Sequence, residues 1–583
     1  MTGPTLPSIV GATDGGLMME HMREFDRWTK HAGTPEERES LLYCEGVLRK
    51  YGYETSLIDH DAYISLPGPG RLEVAGEVLE CIVHSFSQPT QEDGATARIA
   101  YLGTGTDEDF AGRDLEGAIV LIEGIANPAA GLRASAAGAV GQIHISPHEF
   151  GHEMCVSPVW GSPTHETVGR LPTTVIMTVG SSIGASLKER LAGKSELEAT
   201  LFAKVDTGWR KTPILVAELP RLEGGADEPY VLFAGHHDTW YFGVMDNGGA
   251  NATMLEVARL CAQHRDQWKR GLRIIFWSGH SQGRYSSSAW YADEFWEDIE
   301  QRCVVHVNID STGGKGNTVV SDMTAAAELA ALAGQAIEEN SDQKFTKRRM
   351  PRAGDQSFWG IGVPAVFCQS SEQPGGMEEN ASAAVFGADK RAGHGTGWWW
   401  HTPFDTLDKI DETILVRDTR IYVHCIWRLL TDAILPLDYA AHAVYLKAEL
   451  DVLKGLLGGR FDLSGLFERV AHLEARATHL NDHIRKAGGA EAVDRINRCL
   501  IEVSRHIVPV DYTEGDRFDH DAALPQAAYP ALQPLRDLAR LKPDTAEAKF
   551  LGAGMKRACN RVSWALREAN NSIARCLADV EAT

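Results

Sequence analysis

Apolar positions along this chain gather into short unbroken runs through its middle and into a helical stripe near its end. From Glu228 onward the runs are Tyr230-Val231-Leu232-Phe233-Ala234, Arg273-Ile274-Ile275-Phe276-Trp277 and Val304-Val305-His306-Val307-Asn308-Ile309. Their length and their β-branched and aromatic content predict strands buried on both faces. Between them, Ala250 to Ala262 is spaced as an amphipathic helix, and the sequence around Ala289 to Ile299 also reads as helical. Such alternation predicts a mostly parallel sheet with helices on both faces, binding ligands beyond the carboxyl ends of its strands.

Upstream, Met18 to Tyr53 reads as helical, with Gly52 suited to its end. Ala62 to Leu66 and Glu80 to Val83 alternate as strands do. From about Ala97, strand candidates are Arg98–Leu102, Ala118–Ile122 and Val140–Ile145, with a small-residue helix from Ala129 to Ala137 closed by Gly138. After about Leu437 the pattern becomes helical. Leu466, Val470, Leu473, Ala477, Leu480 and Ile484 step by four and three, with Ser464 as N-cap and Gly488 as stop. Such a stripe suits an ordinary bundle helix or, alternatively, an intermolecular helical interface.

Composition narrows the function classes. A chain of 583 residues exceeds one core, so about two to four domains are expected. Fifty-seven basic against 80 acidic residues give a net charge of -23. That balance argues against nucleic acid or an anionic membrane as partner. Met1 to Gly16 is polar and Gly/Pro-rich, unlike a signal peptide, and no apolar run is long enough to span a membrane. The ten cysteines are scattered without a CxxC pair, which predicts reduced thiols and a cytoplasmic location.

The chemistry sits at the predicted strand ends. The first central strand leads into Gly235-His236-His237-Asp238, and Gly243-Val244-Met245-Asp246 follows just before a helix. The third ends at Asn308-Ile309-Asp310, and far downstream lies Trp398-Trp399-Trp400-His401-Thr402-Pro403-Phe404-Asp405-Thr406. Imidazole and carboxylate ligands without a thiolate suit zinc, and accommodate manganese or cobalt. A carboxylate shared between two ions about 3.5–4 Å apart would make the site co-catalytic. Asp238, two past His236, is placed to accept its ring N–H and fix the tautomer.

In this order, His236-x-Asp238, Gly243-x-x-Asp246, Asn308-x-Asp310 and His401-Thr402-x-x-Asp405-Thr406 resemble the co-catalytic zinc peptidases, which include aminopeptidases, glutamate carboxypeptidase II and the non-enzymatic transferrin receptor. The resemblance extends over nearly the whole chain. It implies His236 and Asp310 on one zinc ion, Asp246 bridging, His401 on the other, and Asp238 behind His236. Asp114 to Leu121 and Ala136 to Gly141 resemble the protease-associated domain. The implied architecture is an α/β, mostly parallel-sheet catalytic domain in two parts, 1–90 and 209–436. A protease-associated domain is inserted at 91–208, and 437–583 forms a helical domain through which a homodimer is expected. Arg352 to Phe358 resembles the segment beside the substrate, and Arg352, Asp355, Ser281 and Trp400 are the expected substrate contacts.

The chain departs from the family where a Glu-Glu pair is usual. Aligned through Trp277 and Gly283, His280 replaces the base and Ser281 the metal ligand. Imidazole can work as a base near neutral pH or coordinate metal, whereas a neutral hydroxyl is a poor zinc ligand. The second half-site would then keep Asp246 and His401, with His280 as a conceivable third ligand. A tyrosine that carboxypeptidase-type relatives place before the last histidine is Trp400 here. Three readings stay open: an amide or peptide hydrolase with one or two zinc ions, a metal enzyme of another class such as a lyase, and a non-catalytic receptor-like scaffold. Retention of the four ligand positions weighs against the scaffold.

His148-Glu149-Phe150-Gly151-His152 matches the His-Glu-x-x-His zinc motif. Pro147 and Gly151 oppose the helix that motif needs, so it reads first as a surface loop and next as a loop reaching the active site. His237, His306 and His394 read as structural or solvated, and Ser286-Ser287-Ser288 as a close-packed helix start.

Overall fold

The computed structural model describes residues 5–193, 196–225, 227–376, 380–383 and 391–581. Its centre is a sheet whose strands β9 (Tyr230–His236), β10 (Gly271–Trp277) and β11 (Cys303–Ile309) are parallel, with a short β12 (Ala365–Val366) outside β11. All residues of β9, β10 and β11 are buried. Alternation explains why. Val231, Phe233, Ile274 and Phe276 pack with helices Gly15–Phe25 and Ala250–Ala262 on one face. Leu232, Ala234, Ile275 and Trp277 pack with Tyr291, Ile299 and Phe358 on the other. The predicted strands and the Ala250–Ala262 helix appear as read. The segment from Met18 to Tyr53 differs: it is two helices, Gly15–Phe25 and Pro35–Lys50, separated at 26–34.

Of two long strands, only Ala62–Leu66 within the first was anticipated. β1 (Glu54–Val74) and β8 (Glu198–Leu219) form an antiparallel ribbon from Glu54 opposite Glu218 to Val74 opposite Ala199. The late half of β8 pairs with β10 and its early half with β4 (Ala95–Tyr101). Beyond β4 lie β5 (Ile119–Glu123), β6 (Gly141–Ile145) and β7 (Val175–Val179), all parallel, closed by antiparallel β3 (Ile82–Val83). This outer sheet has its own core of Ile99, Ile119, Leu121, Ile143, Val175 and Met177. One ribbon thus carries both halves, and the outer half delivers a loop back to the site.

The C-terminal segment is helical: Tyr439–Leu457, Ser464–Ile484, Ala490–Tyr512 and Ala546–Glu581. The stripe Leu466, Val470, Leu473, Ala477 and Leu480 is buried within the chain, and Ile484 is partly buried. Ser464 is the first helical residue rather than the cap: Leu463 holds the N-cap position, and the Asp462 carboxylate accepts the Ser464 backbone N–H at 2.9 Å. None of the ten cysteines is paired. Among the described residues no helix is long and apolar enough to cross a membrane.

A buried charge cluster holds this segment to the sheet domain. His442 lies between Glu328 (2.9 Å) and Asp511 (3.4 Å), and Arg349 Nε donates to Asp511 at 3.0 Å. Burial opposes charge on His442, but the two carboxylates reverse this and lift it to about 10. A raised histidine stabilises the fold fully below its unfolded value near 6.5 and loses that contribution as pH climbs through its folded value. The thermal midpoint should therefore fall between pH 6.5 and 10 more steeply for the native chain than for His442→Gln. Equal slopes would show that the cluster does not hold this proton.

Candidate metal centre

His236 is the last residue of β9, and its ring is fixed by the chain immediately after it. Nδ1 donates to the backbone carbonyl of Asp238 at 2.8 Å, leaving Nε2 for the site. The acceptor is thus the carbonyl and not the carboxylate expected from the sequence, because the turn after β9 folds the peptide over the ring. The Asp238 carboxylate reaches the β10 loop instead, accepting the N–H groups of His280 (3.1 Å) and Ser281 (2.8 Å).

Asp246 lies in a wide helical turn, Val244–Gly249, ahead of Ala250–Ala262. Gly243 permits the return: its φ is +51°, and a Cβ there would lie 2.3 Å from the Asp246 carbonyl oxygen. The turn is tied from below by Asp405, whose oxygens accept Met245 N–H at 2.9 Å and Asp246 N–H at 3.1 Å. Burial pushes Asp405 up to about 7, against those two donors. Asn247 joins neighbouring strand ends, donating to the His236 carbonyl (3.1 Å) and accepting from Ser311 N–H (2.9 Å).

The sequence-predicted set converges. Asp246 Oδ1 lies 3.1 Å from His236 Nε2, and Asp246 Oδ2 lies 3.1 Å from His401 Nε2, so one carboxylate faces both imidazoles. Asp310 Oδ1 is 3.5 Å from His236 Nε2. His236 and Asp246 are almost wholly buried, and His236 Nε2 and Asp246 Oδ1 have no properly directed hydrogen-bond partner. Burial opposes charge on His236, yet Asp310 and Asp246 hold it well above its ordinary value. Burial likewise opposes the Asp246 carboxylate, and His236 with His401 pulls it well below. A buried carboxylate facing two imidazole nitrogens, with a second carboxylate beside it, fits a divalent cation, and nitrogen and oxygen donors without sulfur fit zinc.

His401 is oriented from the outer sheet. Its Nδ1 donates to the Glu153 carbonyl at 2.6 Å, and Glu153 N–H donates to its carbonyl at 3.0 Å. The preceding His152 is buried and bonds the Trp400 carbonyl through Nδ1 at 2.6 Å. The segment His148–His152 is therefore neither an ordinary surface loop nor a helical zinc motif, but a loop holding the strand-distant ligand. Backbone pairing across 248 residues drives this, and backbone atoms leave no residue-type signal.

His280 stacks on His236, with ring centroids 3.8 Å apart, and its Nδ1 lies 2.7 Å from Asp355 Oδ2. Asp355 is fully buried and also accepts from Ser288 Oγ at 2.8 Å. Burial raises its carboxyl, but His280 more than compensates and holds it below the ordinary range. Ligating atoms of His236, His280 and Asp310 lie within 4.8 Å of one another. His280 thus sides with the His236 half, not with His401 as the sequence alone suggested.

Ser281 and Trp400 line the pocket with Met154, Arg284 and Tyr285, and Trp400 stacks on His401 at 3.5 Å. Arg352 is turned away: its guanidinium stacks over Trp160 at 3.7 Å and donates to the carbonyls of Gln356 and Asp521. His237 and His306 are buried in the core, as structural histidines are. Glu153 and Asp405 were the positions missed. The His401-x-x-x-Asp405 spacing was the one available signal for Asp405.

Residues 215–426 match the model of peptidase family M28. Over 497 residues the chain is 23% identical to the Probable glutamate carboxypeptidase VP8 of Zea mays, covering 73% of this chain and 68% of that protein. Over 303 residues it is 25% identical to the Probable glutamate carboxypeptidase LAMP1 of Arabidopsis thaliana, covering 49% of this chain and 43% of that relative, less than half its length. The solved aminopeptidase from Aneurinibacillus sp. strain AM-1 superposes with a TM-score of 0.55 at 21% identity, covering 73% of this chain and 96% of that one. The mixed α/β fold is that of the zinc aminopeptidases. The segment that carries His236, Asp246, Asp310 and His401 thus lies within the match to peptidase family M28, and the chain is similar to proteins named as glutamate carboxypeptidases and aminopeptidases.

Proposed function

We propose that this chain is a zinc-dependent hydrolase of peptide or related amide C–N bonds, with an altered base. The observation that carries the reading is the His280–Asp355 pair beside the converged ligands. His236, Asp246 and Asp310 would hold a tight ion, and Asp246 with His401 a weaker second, because Ser281 offers no carboxylate. Held by these residues, a divalent cation would supply Lewis acidity toward a carbonyl and lower the pKa of water at the site. Asp355 fixes the proton of His280 on Nδ1, so Nε2 is the atom open to take a proton from attacking water. The same nitrogen then delivers it to the leaving amine. Trp400 walls the pocket and shields His401 from bulk water.

Residues 91–208 are proposed as a protease-associated insertion, consistent with the loop that orients His401. Residues 437–583 are proposed as a dimerisation domain: Val444, Val452 and Leu456 leave an exposed apolar face on Tyr439–Leu457. Unpaired cysteines suit a cytoplasmic location. Manganese or cobalt would fit the same donors.

The test is a panel of aminoacyl amides, dipeptides and C-terminally acidic peptides, assayed for amine release. Chelation should abolish turnover and added zinc restore it. A zinc-loaded protein that cleaves no amide in the panel would refute the reading.

A further inference from the structure

Away from the catalytic centre, a second set of ligating side chains meets between two C-terminal helices. His479 and His483 are four apart on Ser464–Ile484, which puts both on one helical face. Glu581 is the last residue of Ala546–Glu581. The two helices run parallel: Arg469 pairs with Ser563 and Arg476 with Asn570, both at a separation of 94 residues. That register brings the final turns side by side and lays Glu581 across the histidine pair.

The atoms converge. His479 Nε2 and His483 Nε2 are 3.3 Å apart, and Glu581 Oε1 lies 3.7 and 3.5 Å from them. All three ligating atoms fit within 4.8 Å of one another. Two neutral imidazoles facing through Nε2 can satisfy each other only in opposite tautomers. A cation accepts both lone pairs at once and is neutralised in part by the carboxylate. His479 and Glu581 are half exposed and His483 about a quarter, so an ion has access and water can complete its coordination. Two imidazoles and one carboxylate without a thiolate are donors for zinc and neighbouring divalent ions.

We propose that His479, His483 and Glu581 form a second divalent-metal site, a zinc clamp that fastens the last turn of the C-terminal helix to Ser464–Ile484. It is independent of the peptidase reading, since none of these residues touches the catalytic centre. An ion bound only in the folded state stabilises that state. Here it would act on the last described turn of that helix, since helix ends fray most readily.

Zinc counting on tag-free full-length protein tests this. After equilibration with Zn2+ and desalting, the native chain should hold one more equivalent than His483→Ala or His479→Ala, with Glu581→Gln weakening retention. Repeating the comparison in an Asp246→Asn background removes the bridging carboxylate, and the same one-equivalent difference should persist. Added Zn2+ should raise the thermal midpoint of the native chain more than that of His483→Ala, with circular dichroism verifying that the variant is folded. Equal zinc content and equal midpoint shifts would overturn the clamp and leave an ordinary histidine pair sharing a proton.

Discussion

Asp246→Asn is expected to remove tightly held catalytic zinc and to lower turnover by roughly 10³-fold or more, since Lewis-acid stabilisation is worth several kcal/mol and each ~1.4 kcal/mol is tenfold. The reason is geometric. Asp246 presents one oxygen to each imidazole, at 3.1 Å to His236 and 3.1 Å to His401, so it belongs to both half-sites. An amide keeps the shape but carries no charge, and turns an NH2 group toward one of the two positions. His401→Ala, by contrast, should cost one half-site only. Because His236 and His401 hold this buried carboxylate well below its ordinary range, its replacement is expected to lower the metal-free melting midpoint below that of the metal-free native chain. Native turnover with unchanged zinc content in Asp246→Asn would remove Asp246 from the centre.

Much of this centre was legible because the sheet that supports it is simple. β9, β10 and β11 are buried on both faces, so their sequences are near-continuous apolar runs whose ends are easy to place. Ligands at those ends follow from where such sheets bind. Most of β1, outside Ala62–Leu66, and all of β8 escaped for the opposite reason. They form a twisted ribbon with mixed exposure, and Pro67, Gly68 and Gly70 interrupt the alternation that marks a strand.

The contacts that aim the ligands were illegible for a different cause. The carbonyls of Asp238 and Glu153 orient His236 and His401, and a carbonyl is the same whatever the residue. Only the fold brings Glu153 to His401. Arg352 was misplaced by its nearness in sequence to Asp355. A buried stack on Trp160, contributed by the outer half, competes for its guanidinium and wins. The tautomers needed by the site are thus set by backbone geometry, and the carboxylate of Asp238 is released to position the His280 loop.

That loop supplies the second large effect. His280→Ala is expected to lower kcat by roughly 10²–10⁴-fold, the usual worth of a positioned proton carrier. Because Nδ1 is engaged by Asp355, a single ring nitrogen remains, and that nitrogen cannot carry a proton while coordinating zinc. The two roles are therefore exclusive, and metal content separates them. If His280 is the base, His280→Ala retains native zinc stoichiometry while kcat falls. Loss of one zinc equivalent would make it a ligand and hand the proton to another group. Asp355→Asn provides the discriminating partner: it keeps the side-chain shape while exchanging the buried carboxylate for an amide. As a positioning residue acting through His280, it should lower kcat with little change in KM and leave zinc stoichiometry unchanged, because a neutral amide no longer holds the ring by a charged hydrogen bond. An undiminished kcat would separate Asp355 from the reaction.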